Sequence, residues 1–164
     1  MKSKTKEPRE QTAEATFTPA HVKSILVPID FSEPSLEALR CAMAFAKHFG
    51  AKIVLLHVVE PIATPDMEYI PMTYSSDRVA KLAARKLQVL SKPHGAGGPL
   101  IEQAPVRTGK PFREITEAAR ELKIDLIIIA THGYTGLERA LLGSTAERVV
   151  RLAPCPVMTL RKRE

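Results

Sequence analysis

Short apolar runs alternate with amphipathic stretches along most of this chain. Strands are predicted at four of these runs: 23–30 (KSILVPID), 52–60 (KIVLLHVVE), 125–130 (DLIIIA) and 155–161 (CPVMTLR). The run at 52–60 is apolar at nearly every position, which is typical of a strand buried on both faces of a parallel sheet. A fifth strand is predicted at 100–109 (LIEQAPVRTG), and Pro105 favours an edge position for it because proline cannot donate a ladder hydrogen bond.

The stretches between these strands have helical spacing. In the first, Ser32 can cap the helix, Pro34 suits its first turn and Gly50 ends it. Its apolar residues recur every three or four positions and share one face: Leu36, Leu39, Ala42, Met43 and Ala46. Further helices are predicted from about Ser75 or Ser76 to Lys92, at 110–123 and at 143–153. The helix at 110–123 should turn four residues inward: Phe112, Ile115, Ala119 and Leu122.

The order of these elements predicts a single-domain α/β fold. Strands that alternate with helices require right-handed crossovers, so we expect an open five-stranded parallel sheet with helices on both faces. The length of 164 residues fits one domain better than two. We assign residues 22–161 to this domain, 1–21 to a flexible leader and 162–164 to a basic tail. The proline-spaced segment 61–74 is expected to be a surface excursion.

The carboxyl ends of two strands carry the candidate chemistry. Ligands of such sheets bind beyond the carboxyl ends of the strands, and both Asp30 and the loop after Ala130 lie there. That loop contains several glycines and leads into a helix that begins near Ser144, so free backbone N–H groups and the helix dipole favour an anion. Gly143 would let a phosphate approach, and Ser144 and Thr145 would donate to its oxygens.

Simpler explanations for the same residues stay open. Gly143 can be only a turn residue, with Ser144 an ordinary helix cap. Asp30 can cap the first helix beside Ser32 instead of meeting a ligand. The segment is not a Walker A loop, because no lysine precedes Ser144. His57 is better explained as a buried or sheet-end histidine than as a catalyst.

Composition and charge exclude several classes of protein. The net charge is +6, but four of these charges come from residues 1–10 and 161–164, and aromatic residues are only 5% of the chain. Specific nucleic-acid binding is therefore not expected. Cys41 and Cys155 are far apart in the sequence, which fits reduced thiols better than a disulfide framework. No apolar run approaches the roughly 18 residues of a transmembrane helix, and a cytoplasmic protein without membrane contact is expected.

Three segments together resemble the universal stress protein family: ILVPIDFSEPSLEAL, IVLLHVVEP and DLIIIATHGYTGLERALLGSTAERVVRLAPCPVMTLR. The resemblance covers about residues 22–161 and implies the strand order 3-2-1-4-5 of adenine nucleotide α-hydrolase-like, Rossmann-like folds. It also implies an ATP motif of a small residue, two residues, Gly, nine residues and Gly-[Ser/Thr]. Gly133, Gly143 and Ser144 match this motif, whereas Ala130 stands where its strictest form has glycine.

The same resemblance implies a role for each site residue. Asp30 should meet the ribose hydroxyls or the base edge, and Pro28 should end the strand beneath the nucleotide. Val58 and Ile129 should flank the adenine, although core packing alone would also explain them. Residues expected around the phosphates are Ala130, His132, Gly133, Gly143, Ser144 and Thr145. His132 can equally be a loop histidine that bonds a backbone carbonyl.

We therefore predict an ATP-binding stress-response regulator that acts as a nucleotide-dependent dimer. Mg²⁺ would accompany the triphosphate, and hydrolysis would be slow at most, because the sequence supplies no clear acid and base pair. The final strand, residues 155–161, would be an exposed edge that a second copy covers. An unidentified regulatory protein would be a further partner. The alternatives are a nucleotide-free homodimeric interaction protein and a slow ATPase.

Overall fold

A computed structural model describes residues 22–61, 72–92, 100–131 and 143–161. The predicted leader 1–21, the tail 162–164 and most of the 61–74 excursion lie outside these residues. The strands of the structure are β1 (Ser24–Pro28), β2 (Lys52–Val59), β3 (Ile101–Gln103), β4 (Val106–Thr108), β5 (Leu126–Ala130) and β6 (Val157–Leu160). Its helices are α1 (Glu33–Phe49), α2 (Met72–Leu90), α3 (Pro111–Glu121) and α4 (Ser144–Leu152).

The strands form one open sheet in which every pairing is parallel. Their order is β3-β2-β1-β5-β6, and β4 also pairs with β2. The predicted fold class and the order of the sheet are therefore confirmed. The neighbours β1 and β5 are far apart in the sequence, so the boundary between them is the topological switch point, where ligands of such sheets bind.

The strand predicted at 100–109 is wrong as a single element, because the structure divides it into β3 and β4. Pro105 lies between them and has no N–H for the ladder, although its carbonyl oxygen accepts a hydrogen bond from the His57 N–H at 3.2 Å. The register against β2 also shifts between Ile53 and Val54. Both short strands pair with β2 at the edge of the described sheet, which is where Pro105 was expected.

Two apolar layers cover the sheet, one on each face. Alternate residues of β1 point to opposite faces, so Ile25 and Val27 join one layer and Leu26 joins the other. The first layer is completed by α1 and α2, including the fully buried Leu87. The second layer is completed by α3 and α4 and reaches the carboxyl ends of β2 and β5. In the described part of the chain, no helix is long and apolar enough to cross a membrane.

Both ends of α1 match the sequence prediction. Ser32 is the N-cap and its hydroxyl oxygen accepts from the Ser35 N–H at 3.4 Å, while Pro34 lies in the first turn. At the other end Gly50 adopts the left-handed conformation with φ 68°, and its N–H donates to the Ala46 carbonyl. A side chain is strained in that conformation, which explains glycine at this position. By contrast α2 begins at Met72, three or four residues before the predicted start.

Gly50→Ala is expected to lower the free energy of unfolding by about 1 kcal/mol. A Cβ atom at this position would meet nothing within 4 Å, so the cost comes only from the backbone conformation. Gly50→Asn should cost less, because asparagine tolerates the left-handed region better than alanine. Urea unfolding of the three proteins measures both differences. Equal stability of all three would contradict this explanation of the helix end.

The two cysteines are free and half-buried, as the sequence indicated. Burial, and then the nearby charge of Asp125, raise the pKa of the Cys155 thiol to about 11. Burial also raises the pKa of the Cys41 thiol. Both thiols therefore stay protonated near neutral pH, which makes them weak nucleophiles and metal ligands.

Candidate functional site

A cleft opens at the switch point because β1 and β5 pair only at their amino ends. Ile25 pairs with Leu126 and Leu26 with Ile127, and no further pairing joins these two strands among the described residues. The Ile29 N–H donates to Leu56 of β2 at 2.8 Å, so the preceding residue, Pro28, has its backbone turned towards β5. Proline has no N–H to donate there, which ends the ladder and leaves the cleft.

The cleft has a volume of about 380 Å³, within the range of small-molecule sites. Eight of the predicted site residues line it: Pro28, Asp30, Val58, Ile129, Ala130, Gly143, Ser144 and Thr145. The other two, His132 and Gly133, lie outside the described residues. Tertiary structure therefore brings together residues that are more than a hundred positions apart in the sequence.

The cleft also contains residues that the sequence prediction missed: Ile29, Ser35, Leu56, Glu60, Pro111, Ile115, Thr131 and Ala146. Glu60 directly follows β2, and Asp30 lies two residues after β1, so the same strand-end rule would have found Glu60. Pro111 and Ile115 come from α3, and no local pattern indicates that this helix forms a wall of the cleft. The site is thus more acidic on its β2 side than predicted.

Asp30 both lines the cleft and organises the start of α1. Its Oδ1 accepts hydrogen bonds from the Ser32 N–H at 3.0 Å and from the Ser32 hydroxyl at 2.5 Å. Phe31 between them has φ 65°, which turns the chain sharply enough for these contacts. The two explanations offered for Asp30 are therefore compatible, because its carboxylate supports the N-cap residue and still faces the cleft.

The helix α4 begins at Ser144 as predicted, but the alternative explanation in which Ser144 caps it is wrong. Gly143, not Ser144, is the N-cap residue, and its φ of −67° and ψ of 150° are open to any residue, so glycine is not required by the backbone. The Gly143 N–H already donates to the Thr131 carbonyl at 2.7 Å. The N–H groups of Ser144, Thr145 and Ala146 are the ones that have no partner within the helix.

Apolar side chains form the opposite wall of the cleft. Ile129 is buried and Val58 half-buried, and both belong to the apolar layer under α3 and α4. Leu56 and Ile115 extend this wall. The cleft therefore has an apolar side that suits a flat ring and a polar end at α4 that suits an anion.

His57 lies on the other side of the sheet from this wall. Its Nδ1 is 2.7 Å from the Ile29 carbonyl oxygen, and its ring centroid is 4.7 Å from that of Phe31. Lys86 of α2 places its Nζ 5.0 Å from the centre of the same phenylalanine ring. These contacts are the ones that a structural histidine at the end of a sheet makes.

An ion-pair network joins α3 to the sheet and so fixes one wall of the cleft. Arg107 of β4 pairs with Glu121 and also lies 3.8 Å from Glu114. The hydrogen bond from Arg107 lowers the pKa of the Glu121 carboxyl, and the same bond raises the pKa of Arg107. Both acidic residues belong to α3, which also supplies Pro111 and Ile115 to the cleft.

The fold and the cleft define a class: an open parallel α/β protein with a cleft at its switch point. The sequence model of the universal stress protein family matches residues 21–161. The chain is 36% identical over 147 residues to Universal stress protein MJ0531 of Methanocaldococcus jannaschii, which covers 85% of this chain and 82% of that protein. This chain belongs to the universal stress protein family.

Solved structures of relatives have the same fold. Protein MJ0577, also from Methanocaldococcus jannaschii, superimposes with a TM-score of 0.75 at 27% identity, covering 87% of this chain and 98% of that one. A universal stress protein crystallised in complex with cAMP superimposes with a TM-score of 0.53 at 25% identity. That match covers 84% of this chain and 95% of the relative. An adenine nucleotide is therefore a known ligand of a protein with this fold.

Proposed function

We propose that this protein is a regulatory module that binds ATP in the switch-point cleft. The observation that carries the proposal is the composition of the cleft, which combines an apolar wall, a strand-end carboxylate and a helix N-terminus in about 380 Å³. These are the groups that a base, a ribose and a phosphate chain require, in that order. The complex of a relative with cAMP supports the choice of an adenine nucleotide.

Each part of the nucleotide has a matching group among the described residues. The adenine would lie against Val58 and Ile129, and the Asp30 carboxylate would accept hydrogen bonds from the ribose hydroxyls. Phosphate oxygens would accept from the free N–H groups at the start of α4 and from the hydroxyls of Ser144 and Thr145. Gly143 and Ala130 carry small or no side chains, which leaves room for the phosphates at the cleft wall.

The motif that this chain shares with ATP-binding members of the family is the basis for choosing ATP over smaller nucleotides. Gly133, Gly143 and Ser144 follow its spacing, and Ala130 departs from its strictest form by one methyl group. Mg²⁺ would enter with the triphosphate. Oxygen atoms of the phosphates would supply most of its ligands.

Regulation fits the described residues better than fast turnover. Phosphoryl transfer needs a group that orients the attacking water and a cation that stabilises the transition state. The acidic side chains of the cleft are Asp30 and Glu60, and Asp30 already accepts two hydrogen bonds from Ser32. We therefore propose that binding itself is the signal, and that any hydrolysis is slow.

The same proposal includes a homodimer formed through β6. In the described part of the sheet β6 is the last strand and pairs only with β5, which leaves backbone groups along Val157–Leu160 open to a partner. Val150 and Leu152 on the neighbouring α4 are each 47% exposed. A second copy related by a two-fold axis would cover both the strand edge and these side chains.

Calorimetric titration of the nucleotide-stripped protein with Mg·ATP tests the proposal. We expect a dissociation constant in the micromolar range, which corresponds to about −8 kcal/mol. Inorganic triphosphate should bind far more weakly, since it lacks the base and the ribose. The oligomeric state is measured in parallel by sedimentation with and without ATP.

No heat and no thermal stabilisation at millimolar ATP would contradict the proposal. A dimer that forms equally well without nucleotide would then favour the alternative function, a nucleotide-free interaction protein. Rapid release of phosphate would instead favour an ATPase.

A further inference from the structure

Two arginines share one aromatic ring between α3 and α4. The guanidinium carbon of Arg148 lies 4.9 Å from the centre of the Phe112 ring, and that of Arg113 lies 5.8 Å from it. Both distances are within the range of a cation–π interaction. Phe112 thus holds two positive charges on a small area of the surface, in a chain with few aromatic residues.

Neither arginine forms an ion pair with a carboxylate within the described residues. Other arginines of the fold do: Arg40 pairs with Glu33 and Glu37, Arg107 with Glu114 and Glu121, and Arg151 with Glu147. Two like charges placed together repel each other, and an external anion that approached both would relieve this repulsion. Arg113 and Arg148 therefore offer an external anion two neighbouring guanidinium groups that have no carboxylate partner among the described residues.

The cluster lies beside the polar end of the cleft. Phe112 directly follows Pro111, which lines the cleft, and Arg148 lies one helical turn after Ser144, which also lines it. Residues four apart share a helix face, and long helical side chains lean towards the N-terminus of their helix. Arg148 therefore shares the helix face of Ser144, and its guanidinium is held against Phe112, the residue next to Pro111 of the cleft wall.

We propose that Arg148, held in place by the Phe112 ring, makes the cleft selective for nucleotides with more than one phosphate. This inference rests on the proposed function, since it concerns the same cleft. The α4 N-terminus binds the phosphate nearest the ribose without distinguishing chain length. Arg148 makes charge-assisted hydrogen bonds to the distal phosphates, which are present in ATP and absent from AMP. Arg113 adds positive charge at the same edge of the cleft.

Titration of the native protein, Arg148→Gln and Arg151→Gln with adenosine, AMP and Mg·ATP tests this role. Arg151 is the matched control, because it lies on the same helix but pairs with Glu147. In Arg148→Gln the dissociation constant for ATP should rise about tenfold, the usual effect of losing one charge-assisted hydrogen bond. Affinity for adenosine and AMP should change less than about twofold, and Arg151→Gln should bind all three like the native protein.

Phe112→Leu provides a second variant that keeps an apolar side chain but removes the ring. It should weaken ATP binding less than Arg148→Gln does, and again leave adenosine unaffected. ATP affinity that is unchanged in Arg148→Gln, or reduced equally for ATP and adenosine, would overturn the inference and leave the proposed function standing. A native protein that binds none of the three ligands would overturn both.

Discussion

Gly143→Val is expected to weaken Mg·ATP binding about 100-fold while the protein remains folded. The backbone at this position has φ −67° and ψ 150°, a region that valine readily adopts, so the substitution does not distort the chain. The hydrogen bond from residue 143 to the Thr131 carbonyl also remains possible. The branched side chain instead enters the cleft wall where a phosphate is proposed, and such overpacking costs about 3 kcal/mol.

Gly143→Ser is the control for this substitution. Serine is a better N-cap than glycine and adds only one small side chain, so it should keep most of the affinity for ATP. Calorimetry measures binding, and urea unfolding of the same samples verifies that all three proteins are folded. Native-like affinity of Gly143→Val would mean that no phosphate approaches this wall, and the proposed position of the nucleotide would be wrong.

The largest expected effect on stability comes from Leu87→Ala in α2. Leu87 is 0% exposed and packs in the apolar layer beneath α1 and α2, so its truncation leaves a cavity. We expect the free energy of unfolding to fall by about 2–5 kcal/mol.

Leu82→Ala makes the same chemical change in the same helix and is the matched control. Leu82 is 56% exposed, and its truncation should alter stability by less than about 0.5 kcal/mol. Because helix propensity changes equally in both variants, the difference between them isolates burial. Urea unfolding curves provide the measurement, and equal losses would contradict the assignment of the inward face of α2.

The sequence was most informative where one local rule decides the structure. Ser32 and Gly50 mark the ends of α1 because caps and left-handed residues have few alternatives. The order of strands and helices was enough to predict the class of sheet. The division of the strand around Pro105 depends on its register against β2, and register is a tertiary property that no single segment encodes.

The sequence predicted those residues of the candidate site that lie at strand ends or belong to the family motif. Asp30 and Gly143 lie where those signals indicate, and Glu60 obeys the same strand-end rule. The contact of Arg148 with Phe112 could not be predicted from the sequence, because it depends on how α3 packs against α4. The sequence also does not determine the backbone conformation of Gly143, since glycine adopts extended and left-handed conformations equally well.

The short β1–β5 pairing makes the switch point a seam between two halves of the sheet. One half contains β3, β4, β2 and β1, and the other contains β5 and β6. In the described sheet the ladder between them has two residue pairs, and the Lys23 and Ser24 N–H groups donate to the Asp125 carboxylate at its amino end. A nucleotide that contacts both Asp30 and the start of α4 would bridge this seam from the open side. Folding would then be linked to ligand concentration: at 100 times its dissociation constant, a ligand adds about 2.7 kcal/mol to stability. The stability of the fold would thus depend on the nucleotide concentration. Resistance to proteolysis would rise with that concentration and would link it to the lifetime of the protein in a cell.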